Sequence, residues 1–321
     1  MRYTVRHITR FAYETPISES VIEVRMQPRS EGRQRCLSFA LSTVPASRVL
    51  MYQDHDGNMV HHFDVPGRHS RLALTAQAVV ESAPPAIDPE QITSGSWETL
   101  DGLVQSGEFW DVLAASQFAE PTDRLFEFAR AIGLMRGPDP LATLRVLLRE
   151  IYERFEYSPQ STRVDSPIDE ALRSRRGVCQ DFSHIFIALA RQLGIPTRYV
   201  SGYLFRDVAG TDRSTDGATH AWVEAFVPEI GWVGLDPTNN VFAGDRHIRV
   251  AVGRDYADVP PTRGVYKGIS AVRSELAVAV RINSLQPTPY AADTMPFTPW
   301  MSWEAGAPMP DSEGELQQQQ Q

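Results

Sequence analysis

One stretch constrains this chain more than any other: Arg176-Gly177-Val178-Cys179-Gln180-Asp181-Phe182-Ser183-His184, a Gly-x-Cys-x-Asp signature opening an apolar-periodic run. Phe182, Ile185, Phe186, Leu189 and Leu193 recur at three- and four-residue intervals, the spacing that lines up one face of an α-helix. The helix is expected to begin at or just before Cys179 and to end at Gly194 and Pro196, because glycine accepts the left-handed conformation of helix ends and proline cannot continue a helix. A cysteine in a first helical turn has chemical meaning. The unpaired N–H groups and the positive end of the helix dipole favour thiolate over thiol, and the same N–H groups can hold a developing oxyanion. Cys179 is placed like a nucleophile.

A nucleophilic thiol needs a base and a group that orients the base. Thr219-His220-Ala221-Trp222-Val223-Glu224-Ala225-Phe226 alternates like a strand, and Pro228-Glu229-Ile230-Gly231 turns it into a second strand, Trp232 to Asp236. His220 and Asp236 therefore lie on the two arms of one hairpin. The carboxylate can fix the imidazole tautomer if the register puts both on one face, and the sequence leaves that register open.

These motifs carry a resemblance. Gly177-Val178-Cys179-Gln180-Asp181, Gly194-Ile195-Pro196-Thr197-Arg198-Tyr199, Thr219-His220-Ala221-Trp222 and Leu235-Asp236-Pro237-Thr238 follow one another as in the transglutaminase-like superfamily core. The chain resembles most the bacterial transglutaminase-like cysteine proteases that carry a β-rich N-terminal domain. The resemblance implies Cys179 as nucleophile, His220 as general acid/base and Asp236 as orienter. It also implies an α+β fold, with a papain-like arrangement of helices packed on an antiparallel sheet. Animal transglutaminases use calcium, but no Asp-x-Asp-x-Asp-Gly loop occurs here and the bacterial group implies no metal, so neither metal nor other cofactor is expected.

The remainder of the 321 residues is read around that core. Residues 1–85 show short alternating strands and turns, expected to form an N-terminal β-sandwich. Its Asp54, His55, Asp56, His61, His62, Asp64 and His69 lack metal-ligand spacing and read as turn chemistry. Residues 86–119 read as a connecting segment and 120–283 as the catalytic core, including helices near 121–130 and 138–155 and a short one opened by Ser166-Pro167. The basic end of that short helix, Arg173, Arg175 and Arg176, reads first as a complement to the helix C-terminus and second as a site for an acidic substrate. Residues 247–252 and 272–282 read as further strands of the core. Residues 284–321, rich in Pro and ending in Gln317 to Gln321, read as a disordered tail in which Trp300 and Trp303 are expected to dock on the protein's own body.

A formal charge of −9 argues against a nucleic-acid partner, and no stretch approaches the roughly 20 apolar residues of a membrane span. The start of the chain has no apolar leader, and Cys36 and Cys179 cannot build a disulfide framework, so a cytoplasmic location is expected. The expected partner is a peptide or other amide-containing substrate. Thiol attack would give a thioester that water releases as an acid; capture by an amine, the transglutaminase outcome, is the alternative, and a binding module with a vestigial triad is the second. The Cys179 N–H is one oxyanion donor, with Gln180 or Tyr157 as candidates for the other. Cys36 reads as an inert small hydrophobe, Asp181 as a cap near the helix start, and Trp222, Phe226 and Trp232 as core.

Overall fold

In a computed structural model, described for residues 1–84, 96–206, 212–214, 217–268 and 274–285, the chain begins with two very long strands. β1 (Arg2–Val24) and β4 (Met59–Ser82) pair antiparallel from Arg2 opposite Glu81 to Val24 opposite His61, with β2 (Gln34–Val44) and β3 (Leu50–Gln53) along the far edge of β4. The register shifts between Ala12 and Glu19, an irregularity of the kind that bends a strand. Across the bend, Ile22, Val24, Phe63 and Val65 of one half meet Leu72, Leu74 and Ala76 of the other in one cluster. The expected sandwich is thus formed by a single sheet folded over its own core. The Asp/His-rich hairpin is a turn: the Asp54 carboxylate accepts the N–H groups of Asp56 and Asn58 at 3.1 and 2.9 Å.

The connecting residues carry α1 (Trp97–Gln105) and α2 (Trp110–Leu113), followed by α3 (Asp123–Ala131), α4 (Pro140–Arg154), β5 (Glu156–Tyr157), α5 (Ile168–Ser174) and β6 (Arg176–Gly177). Caps follow local chemistry: Ser96, Thr122 and Asp139 each accept first-turn N–H groups, and Pro140 occupies the first turn of α4. Residues 96–119 are more than a connector, because Leu100 and Ala119 are buried in the main core. Ser166 does not cap α5; its hydroxyl accepts the Arg163 N–H, and Pro167 takes the cap position.

α6 (Cys179–Gln192) is the centre of the molecule. Every residue from Cys179 to Arg191 is buried, so the helix is surrounded rather than laid on a surface. It packs on β7 (Thr197–Leu204) and β8 (His220–Val227), which with β9 (Gly231–Asp236), β10 (Val241–Phe242) and β11 (His247–Gly253) form an antiparallel sheet in the order β10-β9-β8-β7-β11. Gly194, at φ +79°, ends the helix as expected, and Ile195 N–H closes on Ala190 O.

The last two strands correct the expected boundary at residue 283. β12 (Thr262–Lys267) pairs with Glu19–Val24 and β13 (Ser274–Leu285) with Arg2–Tyr13, so both complete the N-terminal sheet instead of the core. They cover the edge of β1, which would otherwise present a row of unpaired backbone groups. The two sheets are also joined by side chains acting as backbone. Gln34 exchanges hydrogen bonds with Arg249 N and O at 2.7 and 2.8 Å, and Asn58 does the same with Val252 at 2.8 Å each, which covers the outer edge of β11. Residues 286–321, with the expected docking of Trp300 and Trp303, lie outside the described residues. Among the described residues no helix is long and apolar enough to cross a membrane.

Candidate active site

The approach to Cys179 is rigid for identifiable reasons. β5 and β6 pair in parallel, Tyr157 opposite Gly177. The Val178 N–H donates to the Asp181 carboxylate at 2.8 Å, and the Thr162 hydroxyl donates to the same oxygen at 2.6 Å. A Cβ on Gly177 would stand 2.9 Å from that oxygen and 3.1 Å from the Phe182 ring, so the glycine of the Gly-x-Cys-x-Asp signature exists to let the backbone rest on Asp181. Burial pushes the Asp181 carboxyl up to about 6, against the pull of these two hydrogen bonds. Cys179 itself is fully buried, and its carbonyl accepts the Ser183 hydroxyl at 2.8 Å.

The hairpin register resolves what the sequence left open. Val223 opposes Leu235 and Glu224 opposes Gly234, so alternation places His220, Trp222 and Asp236 on one face. His220 is a diagonal neighbour of Asp236, within reach for an imidazole, and its Nε2 lies 2.7 Å from Asp236 Oδ2. Asp236 is fully buried yet well supplied with donors. Oδ1 accepts the N–H groups of Thr238 and Asn239 at 3.0 and 3.3 Å; Oδ2 also accepts Asn239 Nδ2 at 2.7 Å and His247 Nε2 at 3.2 Å.

These contacts decide the charges. Burial opposes the Asp236 anion, but His220 and His247 together hold the carboxyl far below its usual range. Burial likewise opposes the His220 cation, and Asp236 with Cys179 overcomes it, raising the imidazole to about 10. With Nε2 held by Asp236, Nδ1 makes no close hydrogen bond among the described residues and is the nitrogen left for the Cys179 thiol, which is among the groups that raise the ring. His247 differs. Burial lowers it, and its Nδ1 accepts the Gly244 N–H at 3.2 Å, so it is a neutral imidazole donating from Nε2. One carboxylate thus serves two histidines, one charged and one neutral.

His247 and Asn239 are the members that sequence reasoning missed as site residues. Asn239 directly follows the Leu235-Asp236-Pro237-Thr238 motif, and His247 stood only as the first residue of the strand read at 247–252. Trp222 stacks on His220, with ring centroids 6.0 Å apart, and is fully buried as expected of a core residue. Gly202 makes room for it: a Cβ there would meet the indole at 2.5 Å and Ile248 O at 2.2 Å. One Gln180 Nε2 hydrogen donates to Val164 O at 2.9 Å, which fixes the amide and leaves its second hydrogen as a donor. Tyr157 sits on β5, beside Gly177.

The side chains of His220, Asp236 and His247 could in principle hold a metal, since their ligand atoms lie within 4.8 Å of one another. The fit is poor. Donor atoms around a tetrahedral zinc with bonds of about 2.0–2.1 Å stand roughly 3.3 Å apart, whereas His220 Nε2 and Asp236 Oδ2 stand 2.7 Å apart, as a hydrogen bond requires.

Comparison with known proteins gives a consistent picture. Residues 129–237 match the transglutaminase-like superfamily, and residues 3–81 match the bacterial transglutaminase-like N-terminal region. An uncharacterized protein of Mycobacterium leprae is 35% identical over 286 residues, covering 88% of this chain and 99% of that protein. A protein-glutamine gamma-glutamyltransferase of Pseudomonas aeruginosa is 33% identical over 146 residues, 40% of this chain and 21% of that protein. Among solved structures, a candidate cysteine protease from Cytophaga hutchinsonii superimposes with a TM-score of 0.70 over 91% of this chain and 94% of its own, at 21% identity.

Proposed function

Because the chain belongs to the transglutaminase-like superfamily, with the bacterial transglutaminase-like N-terminal region preceding its core, we propose that it is a cysteine-dependent amide hydrolase acting through Cys179, His220 and Asp236. The observation that carries this reading is the His220 imidazole, held by Asp236 at 2.7 Å on one nitrogen and left free on the other, with Cys179 among the groups that raise it. In this reading the Cys179 thiolate attacks the carbonyl carbon of a peptide amide. The oxyanion is met by N–H groups in the first turn of α6, which have no intrahelical acceptors. The His220 cation gives its Nδ1 proton to the departing amine as the C–N bond breaks and a thioester forms. Neutral His220 then takes a proton from water as its oxygen attacks the thioester, and releasing the acid restores the thiolate–imidazolium pair. Asp236 stays ionised throughout and holds the ring in place.

Acyl transfer to an amine shares every step up to the thioester, and the 33% identity with the gamma-glutamyltransferase favours it as a second reading. Hydrolysis is placed first because water takes a thioester unless the protein both excludes it and binds an amine. A panel of glutamine- and peptide-amide substrates, followed for acid formation and for incorporation of a labelled primary amine, separates the two. Acid product lost in Cys179→Ala supports the hydrolase; amine incorporation exceeding hydrolysis replaces it with the transferase. Turnover surviving in Cys179→Ala defeats both.

A further inference from the structure

Beside the start of α6 opens a groove of about 660 Å³, lined by Arg154, Phe155, Tyr157, Arg175, Arg176 and Arg213. Only Glu153 and Glu156 set negative charge among its lining residues, so the groove is locally positive in a chain of net charge −9. Two of the arginines have acidic partners: Arg154 pairs with Glu150 at 2.6 Å and Arg176 with Glu156 at 3.4 Å. The other two differ. Arg175 adopts the left-handed conformation at φ +58°, lays its guanidinium over the rings of Phe128 and Phe155 at 4.5 and 5.2 Å, and leaves a buried Nη1 without any hydrogen-bond partner. The Arg213 guanidinium covers the Tyr152 ring at 3.4 Å and, among the described residues, donates only to the carbonyls of Tyr152 and Phe155. Aromatic faces hold both cations in fixed positions, and among the described residues no carboxylate compensates their charge.

The groove is tied to the triad from both sides. Arg176 begins the strand that runs into Cys179, three residues on, a span of at most about 10 Å. The Arg213 N–H donates to Asn239 Oδ1 at 2.7 Å, and Asn239 Nδ2 donates to Asp236 Oδ2 at 2.7 Å. A ligand held by these arginines therefore lies alongside the approach to the thiol.

We propose that this groove is an anion subsite for substrate, in which Arg175 and Arg213 take the carboxylate of an acidic peptide whose amide is presented to Cys179. The proposal rests on the thiol-chemistry reading and names the substrate class for it. The reach from the groove to Cys179 places the acidic residue about two to four positions from the scissile amide of an extended peptide. It also replaces the first reading of Arg175 and Arg176 as a helix-end complement with the second, recognition of acid.

Binding can be measured without turnover. Full-length Cys179→Ala protein is titrated calorimetrically at low salt with acetyl-triglutamate amide, and with acetyl-triglutamine amide as the neutral control. The acidic peptide should bind about tenfold or more tightly than the control, as one charge-assisted contact provides, and the difference should vanish in Arg213→Gln and Arg175→Gln and shrink with added salt. Arg176→Gln, whose side chain is 52% exposed, should also reduce it and keeps the test intact if either of the others fails to fold, which thermal unfolding reports. Equal affinity for the two peptides, or a difference that survives in the arginine variants, overturns the subsite. The two readings fail separately: selective binding with no turnover of any amide by the wild type leaves the subsite standing without the chemistry, and turnover indifferent to flanking acid leaves the chemistry without the subsite.

Discussion

Asp236 accepts five hydrogen bonds with no water needed to satisfy it, and two of them come from imidazoles in different charge states, one cationic and one neutral. The carboxylate's charge, more than its shape, sustains the His220 cation. Asp236→Asn keeps the shape and removes the charge, so kcat/KM on any amide substrate should fall by about 10³–10⁴-fold. The same variant should move the alkaline limb of the pH profile. In the wild type the imidazolium persists until its deprotonation near pH 10; without the anion, burial alone acts on the ring and the limb should drop to or below the ordinary histidine range near 6.5. A limb that stays where it was would show that His220 does not set it. His247 touches no reacting atom and acts through Asp236, as a positioning residue. His247→Gln retains an N–H donor for the carboxylate and should keep most of the activity, whereas His247→Ala should lower kcat by about tenfold, the cost of one hydrogen bond to a charged group, with little change in KM. Equal loss in both variants would indicate a packing role only.

At the scale of elements, the site stands where a helix start meets a hairpin whose neighbours are crowded to the point of needing glycine. Gly202→Ala would drive a methyl into Ile248 O and the Trp222 indole, forcing β7 from β11 or Trp222 from its stack on His220. Urea unfolding should register a loss of about 1–3 kcal/mol, typical of overpacking, together with reduced activity. Gly102→Ala on the exposed side of α1 meets nothing within 4 Å and should instead stabilise by about 0.5–1 kcal/mol. The same contrast explains what could be read from the chain alone. Cys179, His220 and Asp236 sit in short motifs whose geometry is local: a helix begins, a strand begins, the next strand ends. His247 reaches Asp236 only because β11 pairs with β7 across some forty residues of chain, including the His220 hairpin, and a strand pattern does not name its neighbour. The fate of the last two strands was hidden for the same reason. The alternation at 272–282 announces a strand and 262–267 was not read as one; that both return to β1 depends on an open edge that only the assembled sheet possesses.

For the molecule as a whole, buried histidines held neutral make stability depend on pH in a calculable direction. His7 lies between the Tyr203 and Thr9 hydroxyls, joining the two sheets, and burial lowers it to about 4; His184 accepts the Tyr256 N–H, and burial lowers it to about 3, helped by Arg191 and opposed by Asp255. Both values lie below the unfolded 6.5. Between about pH 6.5 and 4 the unfolded chain therefore binds two protons that the folded protein refuses, and stability falls as the solution is acidified. Asp181 works in the other direction. Its folded value near 6 exceeds the unfolded 3.9, so its contribution is full below about pH 4 and is lost as pH rises through 6. With His247 and His61 also lowered by burial, the protons refused by the folded protein outnumber the one that Asp181 takes up, so stability falls on acidification from 6 to 4, more steeply between 6.5 and 6 where Asp181 no longer compensates. At the alkaline end, the His220 stabilisation, complete below 6.5, is lost progressively as pH rises from 6.5 to about 10, by about 1.4 kcal/mol per pH unit, so stability should peak near pH 6.5 and decline on both sides. Urea midpoints taken from pH 4.5 to 10 test the shape, and His7→Gln tests its origin. That variant removes the opposing histidine at the sheet-to-sheet contact, so between pH 6 and 4.5 its stability should fall less steeply than the wild type's, by about 1.4 kcal/mol per pH unit, even though it is lower at pH 7 for the hydrogen bonds it alters. An acid slope as steep as the wild type's would mean that the proton uptake belongs elsewhere and that His7 is not held neutral between the sheets.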